Sequence, residues 1–387
     1  MERRKIQPDQ PKTTADALRR EEPKQCKYYL STGSTLLDLA VSGRCPGGVG
    51  SGRVVQIVGD NATGKTVVAK EILGAAQRLG GTAVEEDAEY TPDFGRAHLF
   101  GLRVGAWEDE STAAEHSDDP VEKAVQVEPT YCYRNPQSIE QVFDGEIGPL
   151  CLLTEGVLPE KSKKGEEVKT REAGFSLTTP LAISVDTFTA LPSEKEEARD
   201  LVDNSFNMER AKSMSAGFRK WLKHVCRTDT TIVAVDHIRN KVGMMFGPTW
   251  TTSGGLAMQQ YASTRILLAT AGVVRNKADV EIGVKIRAKV VKNKIAPPHR
   301  GVEFYVLYDY GIDDVRSNLE WLKEQKVEGK LKVQGGWYSW GDDRLGNGLE
   351  AAIAAVEERI MEGQLRDEVA RVWREVYASP ERKEKER

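Results

Sequence analysis

Eight residues constrain this chain more than any others: Gly59-Asp60-Asn61-Ala62-Thr63-Gly64-Lys65-Thr66, spaced G-x-x-x-x-G-K-T. Ahead of them runs Val54-Val55-Gln56-Ile57-Val58, a short apolar stretch that reads as a buried strand. Behind them, Thr66 to Leu73 carries apolar residues at helical spacing. Strand, glycine loop and helix is the context in which this spacing cradles a nucleoside triphosphate. Gly59 and Gly64 let the backbone turn so that its N–H groups converge on an anion, and the helix adds the positive end of its dipole. ATP is therefore expected against Gly59, Asp60, Asn61, Ala62, Thr63, Gly64, Lys65, Thr66 and Val67, with Lys65 on the β and γ phosphates and Thr66 on Mg2+. An acid beside a triphosphate repels it, so Asp60 is expected to point outward.

Such a loop needs a sheet around it, and 387 residues suffice for one large core and a small second domain. With 39% hydrophobic and 29% charged residues, the balance is that of an ordinary soluble protein. No apolar run approaches the length of a membrane span, and Met1-Glu2-Arg3-Arg4-Lys5 leads into no apolar signal region. No membrane association is expected. Five cysteines, odd in number and without C-x-x-C spacing, predict reduced thiols, no structural zinc and a cytoplasmic setting. A net charge of −4 means that any DNA site must come from local patches.

Two strand-end acids follow the loop. Gly80 to Val84 leads into Glu85-Glu86-Asp87-Ala88-Glu89, where a carboxylate can orient or deprotonate an attacking water. Leu181 to Asp186 is an apolar strand ending in an acid, and Asp186 is the candidate magnesium ligand. Glu85 and Glu86 on a central strand are costly unless that strand end is open to solvent. Glu86 also stays a rival to Glu89.

A third stretch speaks to the substrate. Residues 239–255 alternate basic residues, apolar residues and glycines, without helical or strand period. Glycines admit phosphates closely, and apolar tips can insert between stacked bases. Arg239 and Lys241 supply a sequence-blind attraction to phosphate.

Several of these segments, in this order, resemble the bacterial RecA recombinases. The resemblance begins at Ser31-Thr32-Gly33-Ser34 with Leu37-Asp38 and Ala40, ahead of the phosphate loop. It continues through Asp87-Ala88-Glu89, Ile183 to Asp186, Ile238 to Gly255, Lys289 to Lys294 and Gly336 to Ser339, covering about residues 29 to 350. The match suggests a divergent member of phage or plasmid type. It implies Glu89 as the water-directing residue and His237, where the family has glutamine, as the γ-phosphate sensor. It makes 239–255 the second DNA-binding loop, with Arg239, Lys241, Val242, Met245, Phe246, Gly254 and Gly255 on DNA and Val242 and Phe246 as the wedges. The first DNA loop would be about Arg199 to Met208, so Asn207, Met208 and the nearby Lys212 join that set. Lys292 and Lys294 would reach the ATP of a neighbouring subunit, and Tyr308 would pack near the adenine.

Asp186 lies 97 residues beyond Glu89, more than the family uses, and two polar stretches, around 103–126 and 156–177, look inserted. Residues 1–28 read as an arm, either disordered or docking on a neighbour. The core is expected over 29–312. Residues 313–378, with helical stretches and a hairpin around Gly336 to Gly341, would be a small C-terminal domain. Its Lys323, Lys326, Lys330 and Lys332 would face duplex DNA. The tail 379–387 mixes both charge signs.

The expected fold is α/β, a RecA-like phosphate-loop ATPase core with a mostly parallel twisted sheet plus a small C-terminal α/β domain. The expected activity is that of a DNA-dependent ATPase and recombinase using ATP and Mg2+. It would form a helical homo-oligomeric filament on single-stranded DNA and pair it with double-stranded DNA. A ring-forming motor such as a helicase, or a non-catalytic DNA-binding accessory of the same fold, are the alternatives.

Overall fold

The computed structural model describes residues 25–90, 94–104, 125–128, 131–143, 157–159, 170–172, 180–197, 206–240, 250–252, 257–325 and 327–378. β1 (Tyr29–Leu30) and β2 (Val49–Gly50) pair antiparallel, with α1 (Thr35–Ser42) between them in the chain. β3 (Val54–Gly59) passes through the glycine loop into α2 (Lys65–Arg78) and on to β4 (Thr82–Asp87). β5 (Val125–Glu128), β6 (Tyr131–Arg134) and α3 (Ile139–Phe143) precede a separate pair, β7 (Val157–Pro159) with β8 (Thr170–Glu172). β9 (Leu181–Asp186), α4 (Glu194–Glu197), α5 (Phe206–Thr228), β10 (Thr231–Asn240), β11 (Trp250–Thr252) and α6 (Ala257–Tyr261) come next. An antiparallel run follows, of β12 (Thr264–Arg275), β13 (Glu281–Asn293), β14 (Gly301–Leu307) and β15 (Gly311–Asp313).

These strands build one sheet in the order β15-β14-β13-β12-β3-β10-β9-β4-β6-β5, with β11 attached to β10. Its centre, from β12 to β6, is parallel throughout, and the pairs outside it are antiparallel. β3, β9 and β10 are largely apolar on both sides, as strands covered by helices on two faces are. Side chains alternate between the faces. Val55, Ile57, Val233 and Val235 meet Val68, Ile72 and Leu73 of α2 and the leucines of α1 in one core. Val54, Ile183, Val185, Ile232 and Ala234 point the other way, toward Met214, Phe218, Trp221 and Val225 of α5. Those four recur at helical spacing, so one stripe of α5 is buried. Phe143 of α3 stacks on Phe188 at 5.6 Å and meets Trp221 edge-on at 4.9 Å.

Asp38 explains the polar entry segment. Ser31 Oγ donates to Asp38 Oδ2 at 2.6 Å, and the Thr32 hydroxyl and N–H donate to Oδ1 at 2.7 and 2.8 Å. The acid on the first turn of α1 therefore folds the segment before it onto the helix, while the Ser34 hydroxyl accepts the Leu37 N–H as N-cap (3.4 Å).

The C-terminal part comprises α7 (Asp314–Glu324), a three-stranded antiparallel sheet and two helices. The sheet strands are β16 (Leu331–Gln334), β17 (Trp337–Trp340) and β18 (Asp343–Asn347). The expected hairpin thus gains a third strand. The stretch 348–377, read as helical, is two helices, α8 (Leu349–Glu358) and α9 (Glu362–Val376), broken where Ile360 takes a positive φ of 53°. Among the described residues no helix is long and apolar enough to cross a membrane.

Candidate active site

Sheet order decides what meets what. β3, β10, β9 and β4 lie side by side and run the same way, so their carboxyl ends form one edge. The glycine loop leaves β3, His237 lies near the end of β10 opposite Gly59, Asp186 ends β9, and Glu89 lies two residues past β4. Residues up to 178 positions apart in sequence are gathered by strand adjacency alone.

The loop fits a phosphate on local geometry. A Cβ at Gly59 would fall 2.4 Å from Thr63 Oγ1 and 2.8 Å from the Leu268 carbonyl oxygen. Gly64 has φ 75°, and a Cβ there would meet Ile286 Cδ1 at 2.6 Å. Ala62 holds a left-handed φ of 56° without being glycine, a cost that tight functional loops commonly carry. Gly64 is the N-cap of α2 and has no side chain to cap it, so the first-turn N–H groups suit an anion. Lys65 is buried, and its ammonium donates to the Asp60 carbonyl oxygen at 2.7 Å. Desolvation pulls its pKa down, against the pull of Asp186 and Glu89. Asp60 is exposed, and its carboxylate accepts the Asn61 N–H at 2.9 Å. Asn61 and Thr66 are also exposed, Thr63 is buried and Val67 half-buried.

Thr66 and Asp186 come together: the threonine hydroxyl donates to Asp186 Oδ2 at 2.6 Å. Burial pushes the Asp186 carboxyl up to about 6, opposed by that hydrogen bond and reinforced by nearby acids. A hydroxyl and a carboxylate beside a phosphate loop are the hard oxygen donors Mg2+ takes, the remainder coming from phosphate and water. Among the described residues no group of three or more His, Cys, Asp and Glu offers an all-protein metal cage.

The acids of β4 are held by protein partners and not by water. The strand end is not open to solvent: Glu85, Glu86 and Asp87 are all buried. Side chains of β6 and α2 meet them instead, by hydrogen bonds at Glu85 and Asp87 and by an ion pair alone at Glu86, whose two oxygens have no hydrogen-bond partner among the described residues. The Tyr131 hydroxyl donates to Glu85 Oε2 at 2.6 Å, with Lys70 3.5 Å from Oε1. Arg134 lies 3.2 Å from Glu86 Oε1. The Tyr133 hydroxyl donates to Asp87 Oδ2 at 2.7 Å, and Asp87 Oδ1 accepts the Glu89 N–H at 2.9 Å. Glu89 is left partly exposed, with Oε1 3.1 Å from His237 Nε2. Glu86, at 0% exposure, has no path to water at this edge, while Glu89 faces it. Tyr131, Tyr133 and Arg134 were missed in the sequence because nothing local marks them.

Other candidates fall elsewhere. Lys292 donates to the carbonyl oxygens of Gln259 (2.6 Å) and Gln260 (3.1 Å), capping α6 of its own chain. Lys294 is exposed. Tyr308 is exposed just past β14, two residues beyond Val306, which lies near Gly64. Its carbonyl oxygen accepts from Arg96 at 3.2 Å. Arg239 lies on β10, and Asn207 and Met208 on the first turn of α5, so that stretch is helical by Phe206. Lys212 is exposed on α5, 3.3 Å from Glu209. Lys241, Val242, Met245, Phe246, Gly254 and Gly255 lie outside the described residues, as do 1–24, Lys326 and the tail. The stretch read as lacking strand period is nonetheless strand at two places: Ile238, Arg239 and Asn240 of β10 pair with Thr252, Thr251 and Trp250 of β11. Residues 241–249 are therefore closed at their base by a two-stranded stem that rises from the His237 strand.

Open parallel sheets bind ligands at this edge, and the glycine loop there has the spacing and geometry of loops that hold phosphate; the fold and site define a phosphate-loop α/β protein. Comparison with known proteins narrows the class. The RecA N-terminal domain model matches residues 6–108 and 176–313, leaving unmatched most of the two stretches read as inserted. Protein RecA of Rubrobacter xylanophilus is 32% identical over 348 residues, 90% of this chain and 83% of its own length. Protein RecA of Thermus thermophilus is 31% identical over 339 residues, 88% of this chain and 83% of its own. That of Citrifermentans bemidjiense is 30% identical over 329 residues, 85% and 80% of the two chains. The chain belongs to the RecA family, as a divergent member.

Proposed function

We propose that this protein is an ATP-dependent DNA recombinase. It assembles as a helical filament on single-stranded DNA and exchanges strands with a homologous duplex. One observation carries the reading: β10 presents His237 3.1 Å from Glu89 at the phosphate-loop edge and with the next residue, Ile238, enters the stem below the 241–249 segment. The candidate ATP site and the candidate DNA segment thus share one strand, and a shift of that strand on either side reaches the other.

In this reading residues 29–312 form the ATPase and DNA-binding body, 313–378 a duplex-binding appendage and 1–28 an arm docking on the next subunit. Lys65 and the loop N–H groups hold the triphosphate. Thr66 and Asp186 would hold Mg2+, which when bound neutralises charge on the phosphate oxygens. Glu89 orients the attacking water and accepts its proton, and its backbone is held by the Asp87–Tyr133 bracket. His237 shares a hydrogen bond with Glu89, so the sensor and the base move together. Arg239, Lys241, Val242, Met245, Phe246, Gly254 and Gly255 engage single-stranded DNA, with Asn207, Met208 and Lys212 on a second surface.

The test is a strand-exchange assay with purified protein, ATP and Mg2+, beside electron microscopy on single-stranded DNA. Helical filaments and heteroduplex product are expected. Closed rings, or DNA-independent hydrolysis without exchanged product, would replace this reading with that of a motor.

A further inference from the structure

Behind the phosphate-loop edge the sheet centre contains a polar group of residues that the proposed chemistry does not use. Gln56, on β3, and Asp236, on β10, are fully buried, and Arg265, on β12, nearly so. The Gln56 amide joins them: its Nε2 donates to Asp236 Oδ2 at 2.6 Å, and its Oε1 accepts from Arg265 Nε at 2.6 Å. On the far side Asp236 Oδ1 accepts the Thr189 hydroxyl at 3.3 Å.

Three members lie on or near the segments that carry the candidate site, and the fourth lies opposite Lys292. Thr189 lies three residues past Asp186, and Asp236 immediately precedes His237. Gln56 is on the strand that delivers the glycine loop, and Arg265 sits opposite Lys292 in the β12–β13 register. A buried acid and cation are costly in a sheet centre, where apolar side chains would pack without that cost. The amide also cannot turn over. Flipping it would set its oxygen against the Asp236 carboxylate and its NH2 against the guanidinium. The three strands are therefore held in one relative setting by a bond chain with a fixed polarity.

We propose that Thr189, Asp236, Gln56 and Arg265 form a buried positioning relay that sets the His237 strand against the phosphate loop and couples the 239–255 segment to turnover. The relay rests on the function proposed above. Its members are positioning residues, since they act through the strand that bears His237.

The test exploits the fixed polarity. Gln56→Glu places two buried carboxylates side by side, and Asp236→Asn removes the carboxylate from the bond chain. Each should lower DNA-stimulated kcat roughly tenfold, the size of one lost charge-assisted hydrogen bond, while KM for ATP stays within about twofold. The double variant Gln56→Glu/Asp236→Asn reverses the donor and acceptor of the central bond and keeps each bond of the chain. The carboxylate at 56 accepts from Arg265 and from the amide at 236, whose oxygen still accepts Thr189. It should recover to within about threefold of the wild type. A double variant as slow as the singles, or singles with unchanged kcat, overturns the relay. Should a single variant fail to fold by circular dichroism, Thr189→Val decides. A fall in kcat of about threefold at constant KM supports the relay, and an unchanged kcat overturns it. Wild-type protein without DNA-stimulated hydrolysis would defeat the functional reading itself, whereas a stimulated wild type with these contrary results defeats the relay alone.

Discussion

Glu86 and Glu89 differ by three positions and by everything that matters to a base. Glu86 is sealed in the sheet beside Arg134, and its carboxyl is pushed up to about 7 by burial, with the guanidinium pulling the other way. Glu89 stands at the edge beside His237. Glu89→Gln should therefore keep ATP binding and filaments yet lower turnover at least about a hundredfold, the usual contribution of a positioned base. Glu86→Gln should cost stability more than turnover. Steady-state kinetics beside thermal unfolding separates the two, and the reverse pattern would make Glu86 the base. In the sequence both acids were visible but their fates were not. The residues that hold the β4 acids, Tyr131 on Glu85, Tyr133 on Asp87 and Arg134 on Glu86, lie 46 to 48 positions beyond their partners, on a strand whose neighbour no local pattern names. By contrast the meeting of Thr66 with Asp186 at the glycine loop was legible as a placement, because the loop spacing is written in adjacent residues and the acid ends a readable strand.

At the level of elements the same division holds. Strand, loop and helix over 54–78 were readable since apolar runs and glycines are local signals. The β10–β11 stem was not, because its three pairs join Ile238–Asn240 to Trp250–Thr252 across a segment with no alternation of its own. Nor was the break between α8 and α9, where an isoleucine, with neither glycine nor proline at the turn, takes the left-handed conformation. The stem makes a sharper use of Phe246 possible. If residues 241–249 engage bases while their stem stays paired, Phe246→Ala should weaken single-strand binding by about 1–3 kcal/mol, the range for lost stacking on a base. ATP affinity without DNA should hardly change, because the stem and His237 remain. Fluorescence anisotropy with labelled oligonucleotide, beside nucleotide titration, reads both. Equal losses in the two would mean that Phe246 supports the fold.

At the scale of the whole molecule, several acids among the described residues outside the proposed magnesium site shift the same way, Asp38, Glu71, Glu86 and Asp236 the furthest inside the core. Asp38 is pushed up to about 6, and Glu71, Glu86 and Asp236 to about 7, in each case chiefly by desolvation. Between pH 8 and pH 6 the folded chain takes up protons that the unfolded chain, with ordinary carboxyls near pH 4, does not. Lowering the pH over that window should stabilise the protein, so the urea midpoint without nucleotide should be higher at pH 6 than at pH 8. An equal or lower midpoint at pH 6 would mean these acids stay ionised. Lys292 raises the question of where one subunit ends and the next begins to act. Its ammonium caps α6, the helix that follows the 239–255 segment, so it has a role at home. The family resemblance instead sends it across an interface to a neighbour's ATP. Lys292→Ala alone should abolish DNA-stimulated hydrolysis under either role. Mixing it with Lys65→Ala separates them. In a mixed filament some interfaces pair an intact phosphate loop from the Lys292 variant with an intact Lys292 from the Lys65 variant. If Lys292 acts across the interface, as cationic fingers do in other phosphoryl-transfer sites, those interfaces regain hydrolysis, up to about a quarter of wild type for random mixing of equal amounts. If its work is to cap α6 beside its own loop, each interface with an intact phosphate loop lacks its own Lys292, and co-assembled filaments should stay silent.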